Sequence, residues 1–401
     1  MLTVETQTKK TALYSDKADC CGCGACAVAC PRGIVQMEAD DEGFLYPLLT
    51  DAARCIGCGR CDVVCPVQHA DEIHSQFTRA YAGWCADGSG VNSASGGAAF
   101  ALARAVLADG GVVFGVRYTD DCRAAVYTRV ETEAALAATR TSKYIQARKN
   151  KVYAEVKDDL AAGRQVLFIG LPCDTFAVKK YVGDSAGLLT VSLICHGPTS
   201  ERVHAAYLDA LEQKQHSTAA DINVRYKKDG HWKPYYIRTR FANGAETLQK
   251  FQATDYDAAF GQFKRPSCAA CRFRKDKFAA DLLIGDFHSA EKGTDAYNEQ
   301  GVSSILPLTA AGEALLRRLG DSFVLREVDL RRSVSQRAVH SSVPAVIDRA
   351  AFAAALNEKG LHAACRTPDM RRKLRETWKR RAVFFVKSTA YRALKRLHIV
   401  R

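Results

Sequence analysis

From residue 79 onward, short apolar runs alternate with helical periods. YAGWC (81–85) reads as a strand. The stretch AAFALARAVLAD (98–109) is apolar on almost every face, which predicts a helix buried against a sheet. GGVVFGVRY (110–118) is a Val/Phe-rich strand, and residues 151–161 read as a helix. QVLFIG (165–170) and LLTVSLIC (188–195) are apolar strands, and ERVHAAYLDALEQK (201–214) is a helix with Ser200 as its N-cap. DINVRYKKDGHWKPYYIRTRF (221–241) alternates, as a strand pair turning at Asp229 and Gly230 would, and could shape a substrate-facing flap. Strands alternating with helices predict an α/β domain with a largely parallel or mixed sheet.

The first seventy residues follow another rule. CCGCGACAVACP (20–31) and CIGCGRCDVVCP (55–66) both fit C-x2-C-x2-C-x3-C-P, with Cys21 an extra thiol inside the first. Three cysteines at this spacing grip one [4Fe-4S] cubane from a tight loop, and the fourth completes the partner cluster. Cluster one is then Cys20, Cys23, Cys26 and Cys65, and cluster two is Cys55, Cys58, Cys61 and Cys30. Glycines at 22, 24, 57 and 59 let backbone amides approach the sulfides. Zinc sites favour separated pairs over three cysteines in seven residues twice repeated. The expectation is an α+β, ferredoxin-like two-cluster domain over residues 1–75, an electron relay.

Sixteen cysteines in 401 residues also bear on compartment. The opening MLTVETQTKK has no apolar core like that of a secretory signal, so a reducing cytoplasm is expected, where grouped cysteines are metal ligands or redox groups rather than disulfides. Four more fall at telling places in the α/β region (76–340). Cys173 and Cys195 sit just past, or at, the ends of two apolar strands, and in a parallel sheet those ends share the edge where sites form. Cys268 and Cys271 form a later C-x2-C. The four could converge on a third cluster. Alternatively, Cys173 and Cys195 are small buried hydrophobes and the later pair a zinc-knuckle mimic. Cys85, Cys122 and Cys365 have no partner in spacing and read as structural.

Residues 79–330 resemble the coenzyme F420 hydrogenase/dehydrogenase beta-subunit family. The resemblance rests on SASGG (93–97), TSKYIQ (141–146), FIGLPCD (168–174), LICHGP (193–198), CAACRF (268–273) and DLLIGDF (281–287), in that order. It implies an FAD beside an iron–sulfur cluster held by Cys173, Cys195, Cys268 and Cys271, and hydride exchange with coenzyme F420 or another small-molecule substrate. Some relatives stand beside polysaccharide-assembly enzymes. LPCD replaces the TPCQ of many relatives, and His288 follows GDF where many have an aromatic residue.

A flavin also has a chemical reason: cubanes pass single electrons, hydride acceptors take two, and a flavin converts between them. Ser93, Ser95, Gly96 and Gly97 before the buried helix suit a pyrophosphate, or else a plain N-cap turn. Ser142, Lys143 and Tyr144 are further flavin-contact candidates. Lys143 could stabilise the reduced ring, or be a solvated surface lysine. His196, next to Cys195, could donate to cluster or substrate, or be structural, and Asp286 could orient the 270s loop or act as an acid. No G-x-G-x-x-G follows a strand, so a nicotinamide site has no support.

The net charge of +13 belongs to the end of the chain. Residues 371–401 hold twelve Lys or Arg against the single acidic Glu376, which leaves +2 for the rest. With Trp378, Phe384, Phe385 and Leu394 interleaved, this helical basic tail (341–401) reads as a peripheral membrane contact, a docking segment or a solvated helix. A nearly neutral body without a binding module argues against nucleic acid. The reading is an iron–sulfur flavoprotein oxidoreductase working with a redox partner protein or ferredoxin. The alternatives are an electron-transfer subunit docking to a larger enzyme and a redox sensor without flavin.

Overall fold

A computed structural model describes residues 13–342 and 347–379. Each cysteine loop turns at a left-handed glycine, Gly24 (φ 72°) or Gly59 (φ 67°), into a one-turn helix: α1 (Ala25–Ala29) and α2 (Arg60–Val63). Between them β1 (Val35–Ala39) and β2 (Leu45–Leu49) form an antiparallel hairpin with Val35 opposite Leu49. The described part of the expected ferredoxin-like domain consists of this hairpin, the two helices and short 3-10 turns.

The chain then runs through β3 (Tyr81–Cys85), α3 (Ala98–Ala108), β4 (Val112–Tyr118), β5 (Ala125–Val130), α4 (Glu133–Leu136), α5 (Val152–Ala161), β6 (Val166–Gly170), α6 (Pro172–Val182) and β7 (Leu188–Leu193). An excursion follows: α7 (Glu201–Gln215), β8 (Ala219–Tyr226), β9 (Tyr236–Phe241), β10 (Glu246–Lys250) and α8 (Asp255–Gln262). The chain returns as β11 (Leu282–Asp286), β12 (Ser303–Pro307), α9 (Ala310–Arg317), β13 (Phe323–Glu327), α10 (Leu330–Val334), α11 (Arg337–His340) and α12 (Arg349–Ala364). Ser200 caps α7 as expected, its Oγ accepting from the Val203 N–H at 3.3 Å.

Eight strands make one mixed sheet in the order β13-β3-β12-β11-β7-β6-β4-β5. β4, β6, β7 and β11 are parallel, and their near-continuous apolar sequences suit strands covered on both faces. On one face α3 packs Leu102 and Val106 with Val113, Leu167 and Val191. On the other, α5 and α6 pack Val156, Phe176 and Val178 with Phe114, Val166 and Phe168. Cys23, Ala25, Val64 and Val67 of the N-terminal segment join that second core.

β12 is antiparallel to both β11 and β3, so β3 points with the parallel set. The carboxyl ends of β3, β6, β7 and β11 therefore share one edge, and the loops 86–97, 194–199 and 287–302 gather there with the start of α6. The excursion after β7 is a separate three-stranded antiparallel sheet, β10-β9-β8, backed by α7 and α8. β8 and β9 are the expected strand pair. Residues 349–364, expected as part of the tail, are not peripheral: α12 buries Phe352 and Leu356 in the core of the excursion, with Phe44 and Tyr46 of the N-terminal segment in the same core. Residues 380–401 of the basic tail lie outside the described residues. Among the described residues no helix is long and apolar enough to cross a membrane.

Candidate redox site

In the N-terminal segment burial pushes the Cys26 pKa up to about 12, and the neighbouring thiols of Cys20, Cys65 and Cys61 push it the same way, the first two expected in cluster one and the third in cluster two. Buried thiols of this kind resist ionisation without a cation, so metal must supply the charge that makes them thiolates. Among the described residues no three His, Cys, Asp or Glu side chains converge closely enough to hold a single metal ion.

Cys173, Cys195, Cys268 and Cys271 come together. Cys173 sits in the first turn of α6, just past β6, and Cys195 lies two residues past β7. Cys268 is in the 3-10 turn Pro266–Ala270, and Cys271 ends it, its N–H donating to Ser342 Oγ at 3.1 Å. All four line one cavity of about 660 Å³, counting its mouth, together with Cys21. Burial pushes the Cys195 thiol up to about 11, while the Gly197 N–H donates to its sulfur at 3.3 Å. Gly197 has φ 93°, and a side chain there would press within 3.2 Å of Cys268 Sγ. A half-buried cage of thiols with an amide aimed at a sulfur fits a [4Fe-4S] cluster, whose potential such hydrogen bonds tune.

The segments expected to contact a flavin also meet. Arg225 of β8 donates to Tyr144 Oη at 3.0 Å, to the Ala94 carbonyl at 2.8 Å and to Asp286 Oδ2 at 2.8 Å. It thus ties 93–97, Tyr144 and the end of β11 into one corner. Burial works against the Asp286 carboxylate, but Arg225 overcomes it and holds the carboxyl below its usual range. Arg140 donates to Ser93 Oγ at 3.1 Å, and Lys227 donates to the carbonyls of Gly90 and Ser95 at 2.8 and 2.6 Å. Nothing in the sequence singled out Arg140, Arg225 or Lys227, because their positions depend on the excursion folding back over the edge. Three buried donors here, Nε of Arg140, Nε of Arg225 and Nε1 of Trp232, have no hydrogen-bond partner. Orphaned donors around a glycine loop that opens α3 suit an oxygen-rich anion.

The remaining candidates have other surroundings. Ser95 Oγ donates to the Val302 carbonyl at 2.6 Å. Gly97 caps α3 with φ 92°, and a side chain on Gly96 would collide with the Gly83 carbonyl, so both glycines serve a close backbone approach to β3. Ser142 is half-buried. Lys143 is not a solvated surface lysine: its ammonium is buried and donates to the carbonyls of Arg140, Ala138 and Thr141 at 2.7, 3.2 and 3.3 Å. With these three carbonyls around it, the Lys143 side chain ties its own loop. His196 stands between Cys195 and Gly197, which line the cysteine cavity, and is itself exposed. The protein around it, and the cations Lys264 and Arg274, hold its pKa down. Asp286 and His288 also act on His196, so cavity and corner are neighbours along one edge.

Residues 163–332 match the family described as the C terminus of the coenzyme F420 hydrogenase/dehydrogenase beta subunit, and residues 19–70 match the 4Fe-4S dicluster domain. No curated protein matches. Among solved structures, a chain reported under xenon derivatization of the F420-reducing [NiFe] hydrogenase complex from Methanosarcina barkeri is similar. It is 16% identical, with 66% of this chain and 90% of that one covered and a TM-score of 0.47. The chain thus carries, in order, a segment that matches the 4Fe-4S dicluster domain and a segment similar to the C-terminal domain of the coenzyme F420 hydrogenase/dehydrogenase beta subunit.

Proposed function

We propose that the chain is an iron–sulfur flavoprotein oxidoreductase. In this reading Cys20, Cys23, Cys26 and Cys65 hold cluster one, Cys55, Cys58, Cys61 and Cys30 hold cluster two, and the central cavity holds a third cluster. FAD binds at the corner made by 93–97, Tyr144 and Arg225. When bound, FAD supplies the conversion between single electrons and a hydride exchanged with coenzyme F420 or an organic substrate. The chain's own residues bind and orient. Gly96 and Gly97 keep the loop low against β3, and the free amides of α3 with Arg140 and Lys227 offset phosphate charge. Arg225 fixes Asp286 and Tyr144 relative to each other, and His196 stands between the thiol cage and that corner with a neutral imidazole able to donate or accept. A redox partner protein or ferredoxin supplies or takes electrons at the exposed N-terminal segment, where Cys58 is the exposed thiol.

The observation that carries this reading is the convergence of Cys173, Cys195, Cys268 and Cys271 on one cavity, from three separate parts of the chain, beside the basic corner. The test is the visible spectrum and iron content of anaerobically purified protein. The expected result is flavin bands over broad cluster absorbance, with about twelve irons per chain, falling by about four in Cys268→Ser/Cys271→Ser. Broad absorbance without flavin would make the chain an electron-transfer subunit instead. Unchanged iron in the double variant would remove the third cluster.

A further inference from the structure

The cavity holds one thiol more than a four-thiolate cluster needs. Cys21 is buried and lines it with the other four. Its thiol is a near neighbour of the Cys173 thiol and of the thiol of Cys23, a ligand of cluster one by spacing. The placement is imposed by three side chains of the α/β domain that grip this peptide. Gln146 Nε2 donates to the carbonyls of Cys21 and Gly22 at 2.7 and 3.2 Å. Tyr153 Oη donates to the Cys23 carbonyl at 2.8 Å, and Arg265 Nε donates to the Cys20 carbonyl at 2.8 Å. Gly22, at φ 67°, makes the turn, and a Cβ there would lie 2.5 Å from the guanidinium carbon of Arg265.

We propose that Cys21 and Cys173 are exchangeable ligands for one corner of the central cluster, with Cys195, Cys268 and Cys271 holding the other three. This rests on the third cluster proposed above. Two neighbouring thiols are ill placed to serve two corners of one cubane, whose ligands project apart from different irons, but they can compete for one. The exchange balances without an electron: the incoming thiol passes its proton to the departing thiolate as one Fe–S bond forms and the other breaks. It also gives the corner a sulfur-to-sulfur path, Cys23 to Cys21 to Cys173, from cluster one to the central cluster.

The test compares iron per chain and low-temperature EPR of the reduced protein in Cys21→Ala, Cys173→Ala, the double variant and Cys268→Ala, with far-UV circular dichroism to confirm folding. Each of the first two single variants is expected to keep about twelve irons, Cys173→Ala with an altered signal for one cluster, and the double variant to lose about four. Loss of about four irons in Cys173→Ala alone, or full retention in the double variant, overturns the exchange. Cys268→Ala separates the two levels: loss there with retention in the double variant sinks only the exchange, whereas retention in Cys268→Ala sinks the central cluster itself. Should the double variant not fold, iron release to a chelator decides. Both single variants are expected to release four irons faster than wild type, and unchanged rates count against the exchange.

Discussion

Arg265 joins the N-terminal segment to the α/β half through one side chain. It is 1% exposed and donates to the carbonyls of Cys20 and Leu45, both at 2.8 Å, and to Gln146 Oε1 at 3.1 Å, with its guanidinium 4.1 Å from the centre of the Tyr46 ring. Arg265→Ala would strand buried carbonyls and is expected to cost about 3 kcal/mol in urea unfolding. Arg265→Lys should recover little of it, because an ammonium cannot reproduce the planar fork; full recovery would show that charge alone matters. Lys143 makes a different point. Burial lowers its pKa from 10.5 to about 7, only partly opposed by Asp221. Between those values the unfolded chain binds the proton and the folded one does not, so stability rises with pH across that window and the penalty is complete below it. Lys143→Met should therefore gain less in urea midpoint than wild type on going from pH 7 to pH 9. Equal gains would mean the ammonium keeps its charge in its nest of carbonyls.

At the scale of elements, two glycines separate by what surrounds them. Gly261 lies in α8 with ordinary backbone angles and nothing within 4 Å of a built Cβ. Gly261→Ala should stabilise by up to about 1 kcal/mol through helix propensity, read as a raised Tm. Gly96→Ala should lower Tm and, on the proposed function, reduce bound flavin, because its Cβ would collide with the Gly83 carbonyl and lift the loop from β3. A neutral effect there would mean the loop gives way freely. The same contrast shows what was legible in the sequence. Apolar runs such as VLFIG and LLTVSL marked their strands, because strands covered on both faces leave a pattern in every residue. The fixed cysteine spacing marked eight candidate ligands, because a tight loop imposes it locally. Cys21 was visible only as a surplus thiol, since its placement depends on Arg265, which holds the preceding Cys20 carbonyl from 245 residues away. Arg225 was invisible for the same reason: its partners Ala94, Tyr144 and Asp286 come from three distant segments.

At the scale of the whole molecule, the sequence divides at residue 75 but the packing does not. Phe44 and Tyr46 of the β1–β2 hairpin share a core with Phe263, Tyr256 and Phe352, and Cys23, Ala25 and Val64 share another with Phe168 and Phe176. Arg349 of α12 pairs with Glu42 and donates to the Lys264 carbonyl at 2.7 Å, clamping the hairpin to the segment that leads into Cys268. Cut apart, the α/β half would expose these aromatic faces and leave Arg265 and Gln146 without the carbonyls of Cys20, Cys21 and Leu45. A chain of residues 76–401 is thus expected to bind a hydrophobic dye and to unfold without a cooperative transition, while the full chain melts in a single step with coincident circular dichroism and cluster absorbance. The coupling has a functional meaning, because the thiol of Cys21 reaches the central cage only while the two halves stay locked. A truncated chain that melts cooperatively at the temperature of the full one would show that the halves are merely adjacent and that the route between clusters is held by something other than this shared core.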